Sequence, residues 1–222
     1  MTHGPRPPQG IRTIGEIPSD ATRLVLVRHG QARANVDGFF GGPVGCSGLS
    51  ELGHQQAETL ASTWIRDGLY ANAELLVSST LLRAEQTADH LQTAIPEATR
   101  LVSREDLCEL LPGEADTLTW REYGERFGGV DWDEDATTPI APGGESWATF
   151  TRRVVSALER LVADYVSNTI VVATHAGVIE ASMLHFVFGG PETRRLGLRT
   201  DHCSVTEWAA FDGKWFLVRF NA

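Results

Sequence analysis

The sequence is short of everything that would mark a disulfide-stapled secreted domain, a membrane protein or a nucleic-acid binder. Cysteine occurs three times in 222 residues, at Cys46, Cys108 and Cys203. An odd number, widely spaced and without a C-x-x-C pair, supports neither a disulfide framework nor a zinc ribbon. Reduced thiols in a cytoplasm are the expectation. No stretch approaches the roughly 20 apolar residues of a membrane span, and no basic start leads into a long apolar core, so no membrane partner is expected. Positive charge is scarce too, with 19 Lys and Arg against 29 Asp and Glu, a formal net charge of -10. A phosphate-backbone footprint needs Lys and Arg massed on one face, so nucleic acid is not an expected partner. A small anionic substrate would need a local cationic pocket within an acidic surface, and the surrounding field would not draw it in from a distance.

What is present suffices for one sizeable core, the chain being 42% hydrophobic. Residues 1–20, with four prolines and three glycines, read as an extended or disordered lead-in to a domain over 21–222. The continuous apolar run Leu24 to Val27 predicts a strand over 23–28 buried on both faces of a parallel sheet. After a Gly-rich loop, Gly38 to Gly48, Ser50 caps a helix carrying Leu52, Leu60 and Trp64. Leu75 to Val77 is a short strand, and Ser79 or Thr80 caps a helix running to about Ala94. A strand near 100–103 and a helix near 114–126 follow. Ser146 then caps a long helix whose Trp147, Phe150, Val154, Leu158 and Leu161 form a core-facing stripe. Ile170 to Thr174 is a second buried strand, leading into a helix through Phe188. Two further runs around Asp212-Gly213 predict an antiparallel hairpin. Strands alternating with helices imply a three-layer α/β/α sandwich around a mostly parallel sheet.

Each buried strand delivers a histidine at its exit, Arg28-His29-Gly30 from the first and His175-Ala176-Gly177 from the later one. Ligands of open α/β sheets sit beyond the carboxyl ends of strands, where His29, Ser79 and His175 all fall. Phosphoryl transfer to nitrogen needs a neutral imidazole and positive charge around the equatorial oxygens. His29 fits the first requirement. Arg28 and Arg83 fit the second, because a guanidinium is permanently charged and its forked donors match phosphate. His175, if protonated, adds a third charge-assisted bond, and the helix starts near Thr80 and Ala176 offer backbone N–H groups. The leaving alkoxide must gain a proton, and the loop that carries Glu105, Asp106, Glu109 and Glu114 offers the carboxyls for it. The remaining histidines, His3, His54, His90, His185 and His202, form no H-E-x-x-H or H-x-H pattern and read as surface or packing residues, so no metal and no cofactor is expected.

Together the Arg28-His29-Gly30 triplet, the Ser79 to Ala88 segment and the His175-Ala176-Gly177 site resemble the histidine phosphatase superfamily, the phosphoglycerate-mutase-like family, from about residue 23 to the C-terminus. The resemblance implies that His29 becomes a phosphohistidine, that Arg28, Arg83 and His175 contact the phosphoryl group, and that Glu109 is the general acid. Gln31 and Asn35 are implied as further substrate ligands. Glu145, in Pro142-Gly143-Gly144-Glu145, is family punctuation that either supports a helix N-terminus or holds the arginine network. Two departures matter. Ala32 stands where the family often has a hydroxyl residue, and the Lys-rich insert that encloses a bisphosphate in mutases is missing between Glu109 and Glu145. The implied activity is metal-independent hydrolysis of a small phosphate monoester, with a mutase or an idle phospho-ligand-binding module as alternatives. The segment 114–139, with Trp120, Tyr123, Phe127 and Trp132, reads either as a partial lid over the pocket or as aromatics that merely pack. A homo-oligomer is possible and nothing in the sequence sets it.

Overall fold

The structure, a computed structural model, describes residues 17–95, 99–189 and 197–222, so residues 1–16 of the expected lead-in lie outside it. Twelve principal elements follow one another. They are β1 (Thr22–Arg28), α1 (Arg33–Asp37), α2 (Glu51–Asp67), β2 (Leu75–Ser79), α3 (Leu82–Gln92), β3 (Thr99–Arg104), α4 (Trp120–Phe127), α5 (Trp147–Asp164), β4 (Thr169–Thr174), α6 (Ala176–Phe188), β5 (Val205–Phe211) and β6 (Lys214–Arg219).

The six strands form one sheet in the order β3-β2-β4-β1-β5-β6. β3, β2, β4 and β1 run parallel, and β5 and β6 close the sheet as an antiparallel hairpin. Strand side chains alternate between the faces. Leu24, Leu26, Leu75, Val77, Ile170 and Val172 pack with α5 and α6. Val25, Val27, Leu76, Val171 and Ala173 pack with α2 and α3 on the other side. Both faces are therefore apolar, which is why β1 and β4 read as continuous runs rather than alternating ones. α6 is buried from Val178 through Leu184, as expected of a helix apolar all round. Asp212 and Gly213 turn the hairpin with φ of 50° and 70°, the left-handed pair of a two-residue turn.

Two element boundaries differ from the sequence expectation. α3 is capped by Leu81, without a side-chain bond, and not by Ser79 or Thr80. Ser79 accepts the Leu81 N–H at 3.2 Å and faces His175 at 2.7 Å, so its hydroxyl serves the strand end. The helix expected over 114–126 divides into a 3-10 turn, Gly113–Ala115, and α4, which starts at a Thr119–Glu122 capping box.

Register positions the site. Arg28 pairs with Thr174 and Ser78 with Ala173, so β1, β4 and β2 end level with one another. The His29 N–H donates to the Thr174 carbonyl at 2.8 Å, which sets the two strand-end histidines side by side. Gly30 then passes the first turn of α2 so closely that a Cβ would lie 2.3 Å from the Gly53 carbonyl oxygen, and one on Gly53 would lie 2.1 Å from that of Gln31. Neither side can yield, because both are backbone. Gly30→Ala is expected to cost about 2 kcal/mol or more, the scale of overpacking in a rigid core, as a lowered urea midpoint; an unchanged midpoint would contradict this close approach.

Candidate active site

His29 is buried, and its two ring nitrogens have different partners. Nδ1 lies 2.6 Å from the Gly30 carbonyl, which can only accept, so Nδ1 carries the proton. Nε2 accepts from Arg83 Nε at 3.0 Å, so its lone pair faces the cation. Burial first, then the charge of Arg83, holds the imidazole well below the ordinary histidine value of 6.5, against the opposing effect of the Gly30 bond. His29 is therefore a neutral imidazole of defined tautomer.

Arg83 is aimed by α3 and held by the Gly41 carbonyl, 2.6 Å from Nη1. Arg28 donates from Nη1 to the Thr200 carbonyl and from Nη2 to His202 Nε2 at 3.1 Å, while its buried Nε has no partner. Among the described residues neither guanidinium is ion-paired with a carboxylate. Buried unpaired charge is costly, and these two cations make the floor of the cleft a place for an anion.

His202, read from the sequence as surface or packing, belongs to this site. Its ring centroid is 6.0 Å from that of His29, and Nε2 is also 3.3 Å from Asn35 Oδ1. A guanidinium has no acceptor, so Nε2 is the bare nitrogen. Burial, then Arg28, pushes its pKa down to about 4. No local pattern marks His202, because it arrives from the loop before β5. Asn35 lines the cleft as expected. Gln31 does not; its side-chain oxygen accepts from Ser50 Oγ at 2.8 Å, next to the cap of α2.

His175 lies fully buried with its ring centroid 5.2 Å from that of His29. Burial, then Arg83 and His29, holds it well below the ordinary range, so the expected protonated form is not the resting one. Its Nε2 meets Ser79 and its buried Nδ1 is unpartnered. Glu109 lines the cleft and accepts from the Leu110 N–H at 3.0 Å and the Gly177 N–H at 3.1 Å. The start of α6 therefore binds Glu109 through Gly177. A Cβ on Gly177 would lie 2.1 Å from Glu109 Oε1, so any larger residue there would displace that carboxylate. Glu145 serves the arginine network. It pairs with Arg153 at 2.6 Å and accepts from Leu111 N at 3.0 Å, while Arg153 donates to the Asp106 and Cys108 carbonyls, both at 3.1 Å. The pair fixes the loop that presents Glu109.

Above the floor opens a cleft of about 440 Å³. The segment 114–139 divides in two. Trp120 and Trp132 line the cleft, whereas Tyr123 is buried beneath it, its ring 5.0 Å from Phe40 and 5.8 Å from Phe127. Asp116 ties this segment to the Gly-rich loop by accepting from the N–H groups of Gly42, Val44 and Gly45 at 2.8–3.1 Å. Among the described residues no three His, Cys, Asp or Glu side chains group as metal ligands.

Buried cations call for an anion, and a bare imidazole nitrogen beside them calls for an electrophile, which on an α/β sandwich defines a phosphoryl-handling class. The chain belongs to the histidine phosphatase superfamily, branch 1, whose family profile matches residues 24–222. A bifunctional protein of Mycobacterium tuberculosis is 33% identical over 192 residues, 85% of this chain and 51% of its own length. The chain thus spans about half of that relative. A metal-independent phosphoserine phosphatase of Arabidopsis thaliana is 28% identical over 91% of this chain and 82% of its own. A mycobacterial glucosyl-3-phosphoglycerate phosphatase, solved with VO3, superposes with a TM-score of 0.75 at 29% identity, over 90% of this chain and 99% of that one.

Two measurements follow. Folded His29 and His175 stay neutral below 6.5 while the unfolded chain takes up a proton on each, so the unfolded state binds more protons and stability falls as pH falls. The slope approaches about 1.4 kcal/mol per pH unit per histidine well below pH 6.5 and averages about half of that between pH 7.5 and 5.5. Urea unfolding between pH 7.5 and 5.5 should therefore be steeper in pH for the wild type than for a His29→Asn/His175→Asn double variant; equal slopes would disprove the neutral assignment. Removing the acceptor of Arg28 by His202→Ala should weaken inorganic phosphate binding about tenfold, the value of one hydrogen bond to a charged group. Calorimetric titration at pH 7 reads this directly.

Proposed function

We propose that the protein hydrolyses phosphate monoesters through a phosphohistidine on His29, without a metal. The observation that carries this reading is the tautomer of His29, with its proton on Nδ1 and its lone pair on Nε2 beside Arg83. Arg28 and Arg83 hold the phosphoryl oxygens, and their charge offsets what builds up there in the transition state. Arg83 Nε–H turns from His29 Nε2 to a phosphoryl oxygen, and the freed lone pair attacks phosphorus as the ester P–O bond breaks; the bonding pair leaves on the alcohol oxygen, and the carboxyl of Glu109 gives that oxygen its proton. Water then attacks phosphorus, Glu109 takes its proton, the P–N bond returns its pair to Nε2, and inorganic phosphate departs.

His175 completes the cradle. Ser79 already accepts from Leu81, so its own hydrogen is available to His175 Nε2 and the ring proton rests on the unpartnered Nδ1, ready for a phosphoryl oxygen. The names of the relatives, a phosphoserine phosphatase and a glucosyl-3-phosphoglycerate phosphatase, support ester hydrolysis as the reaction class. The three thiols are free, which suits a reducing cytoplasm.

The test is hydrolysis of p-nitrophenyl phosphate with chelator present, together with acid-quench trapping of labelled phosphate on protein. Wild type is expected to turn over and to yield an acid-labile, base-stable phosphoprotein. His29→Ala should lose about a thousandfold or more in kcat and all trapped label. Turnover that chelator abolishes, or that survives His29→Ala, would defeat the mechanism.

A further inference from the structure

We infer that the alcohol leaving group recognised by this cleft is bulky, uncharged and aromatic, and that it is neither a polyol nor a second anion. The inference rests on the phosphatase reading above and concerns the substrate class of the same site. The chemistry of the cleft changes along its length. Arg28 and Arg83, its cationic side chains among the described residues, both stand at His29, where a single phosphate monoester uses them. Beyond them the lining is mostly apolar, with Phe39, Phe40, Leu110, Trp120, Trp132 and Ile140, and its charged side chains there among the described residues are carboxylates, Glu109 and Glu180, which repel an anion.

The aromatic side chains are fixed before any ligand arrives. The Phe40 ring lies 4.1 Å from that of Trp120 and edge-on to Tyr123, and the Phe40 N–H donates to the Leu118 carbonyl at 2.9 Å. Trp132 lies 5.9 Å from the Trp147 ring. Two polar tips of this wall are already engaged. Trp132 Nε1 donates to the Thr138 carbonyl at 2.8 Å, and the Tyr123 hydroxyl to that of Ile140 at 3.0 Å.

A sugar would have to give up its hydration against surfaces that offer few hydrogen bonds in return, and a carboxylate or second phosphate would do the same with no described cation beside it. A flat apolar group gains by both burial and ring contact. Trp120 supplies the rim; at 62% exposed it is a large ring left facing water, and a bound aromatic group would cover it. Because the wall is pre-positioned, little ordering opposes that gain.

The experiment compares kcat/KM of the wild type for 2-phenylethyl phosphate, O-phosphoserine, 3-phosphoglycerate, glucose 6-phosphate and methyl phosphate. All are esters of unactivated alkyl alcohols, so the differences report recognition more than leaving-group basicity. The phenylethyl ester is expected to exceed each of the others by at least about tenfold, a ratio of the size that one or two aromatic contacts supply. Its ratio to methyl phosphate should fall severalfold in Trp132→Ala and in Trp120→Ala; the second substitution lies on the exposed rim and keeps the test available if the first fails to fold. Equal or better turnover of phosphoserine, phosphoglycerate or the sugar phosphate would overturn the inference, as would an aromatic preference that survives both substitutions. Hydrolysis of p-nitrophenyl phosphate separates the two levels. If it proceeds through His29 while the aromatic preference is absent, this inference falls alone; if it does not occur, the phosphatase reading falls and takes this one with it.

Discussion

The hydrogen bond from Arg83 Nε to His29 Nε2 is the contact on which the site depends. It sets a permanent cation against the lone pair of a buried imidazole, so it fixes the tautomer and opposes protonation. Burying a guanidinium without a carboxylate is costly unless its surroundings hold it. Here the Gly30 carbonyl holds the other ring nitrogen, the Gly41 carbonyl holds the far end of the guanidinium, and the strand register brings His29 beside His175. An anion entering between the cations relieves the repulsion among them without having to reorganise the ring it meets.

Around that contact the fold supplies a graded set of supports. The sheet provides level strand ends and the glycine pair Gly30 and Gly53 lets the strand exit lie against α2. The loop carrying Glu109 is held at several points. Arg153 gathers its carbonyls, Glu145 takes the Leu111 N–H, and Gly177 takes the carboxylate itself. In the proposed mechanism Glu109 gives and then takes a proton, and these contacts keep it in one place across both half-reactions.

Much of this was legible in the sequence, and what was missed has physical reasons. β1 and β4 announce themselves because both faces of the sheet are covered, and the strand-end histidines follow from where those runs stop. Arg83 is readable because a helix begins just before it. The cap of α3 misleads, because a serine after a strand looks like a cap while Ser79 is bonded to His175. α4 begins later than its composition suggests because the Thr119–Glu122 box sets its start. His202 could not have been found by spacing, since it reaches Arg28 through tertiary structure across 174 positions and sits in no pattern of its own. Gln31 shows the converse, a residue next to the motif whose side chain the first turn of α2 has claimed.

Asp116 gives the aromatic wall of the cleft a mechanical connection to its arginine floor. Its carboxylate collects three N–H groups of the Gly-rich loop, and that loop carries the Gly41 carbonyl which aims Arg83. The same backbone stretch runs on through Leu118, bonded to Phe40, into the helix that bears Trp120. The rim and the guanidinium are therefore parts of one truss with Asp116 as its pin. A change that reshapes the rim is passed through that carboxylate to the loop that aims Arg83, so under the proposed mechanism specificity and rate share one mechanical support.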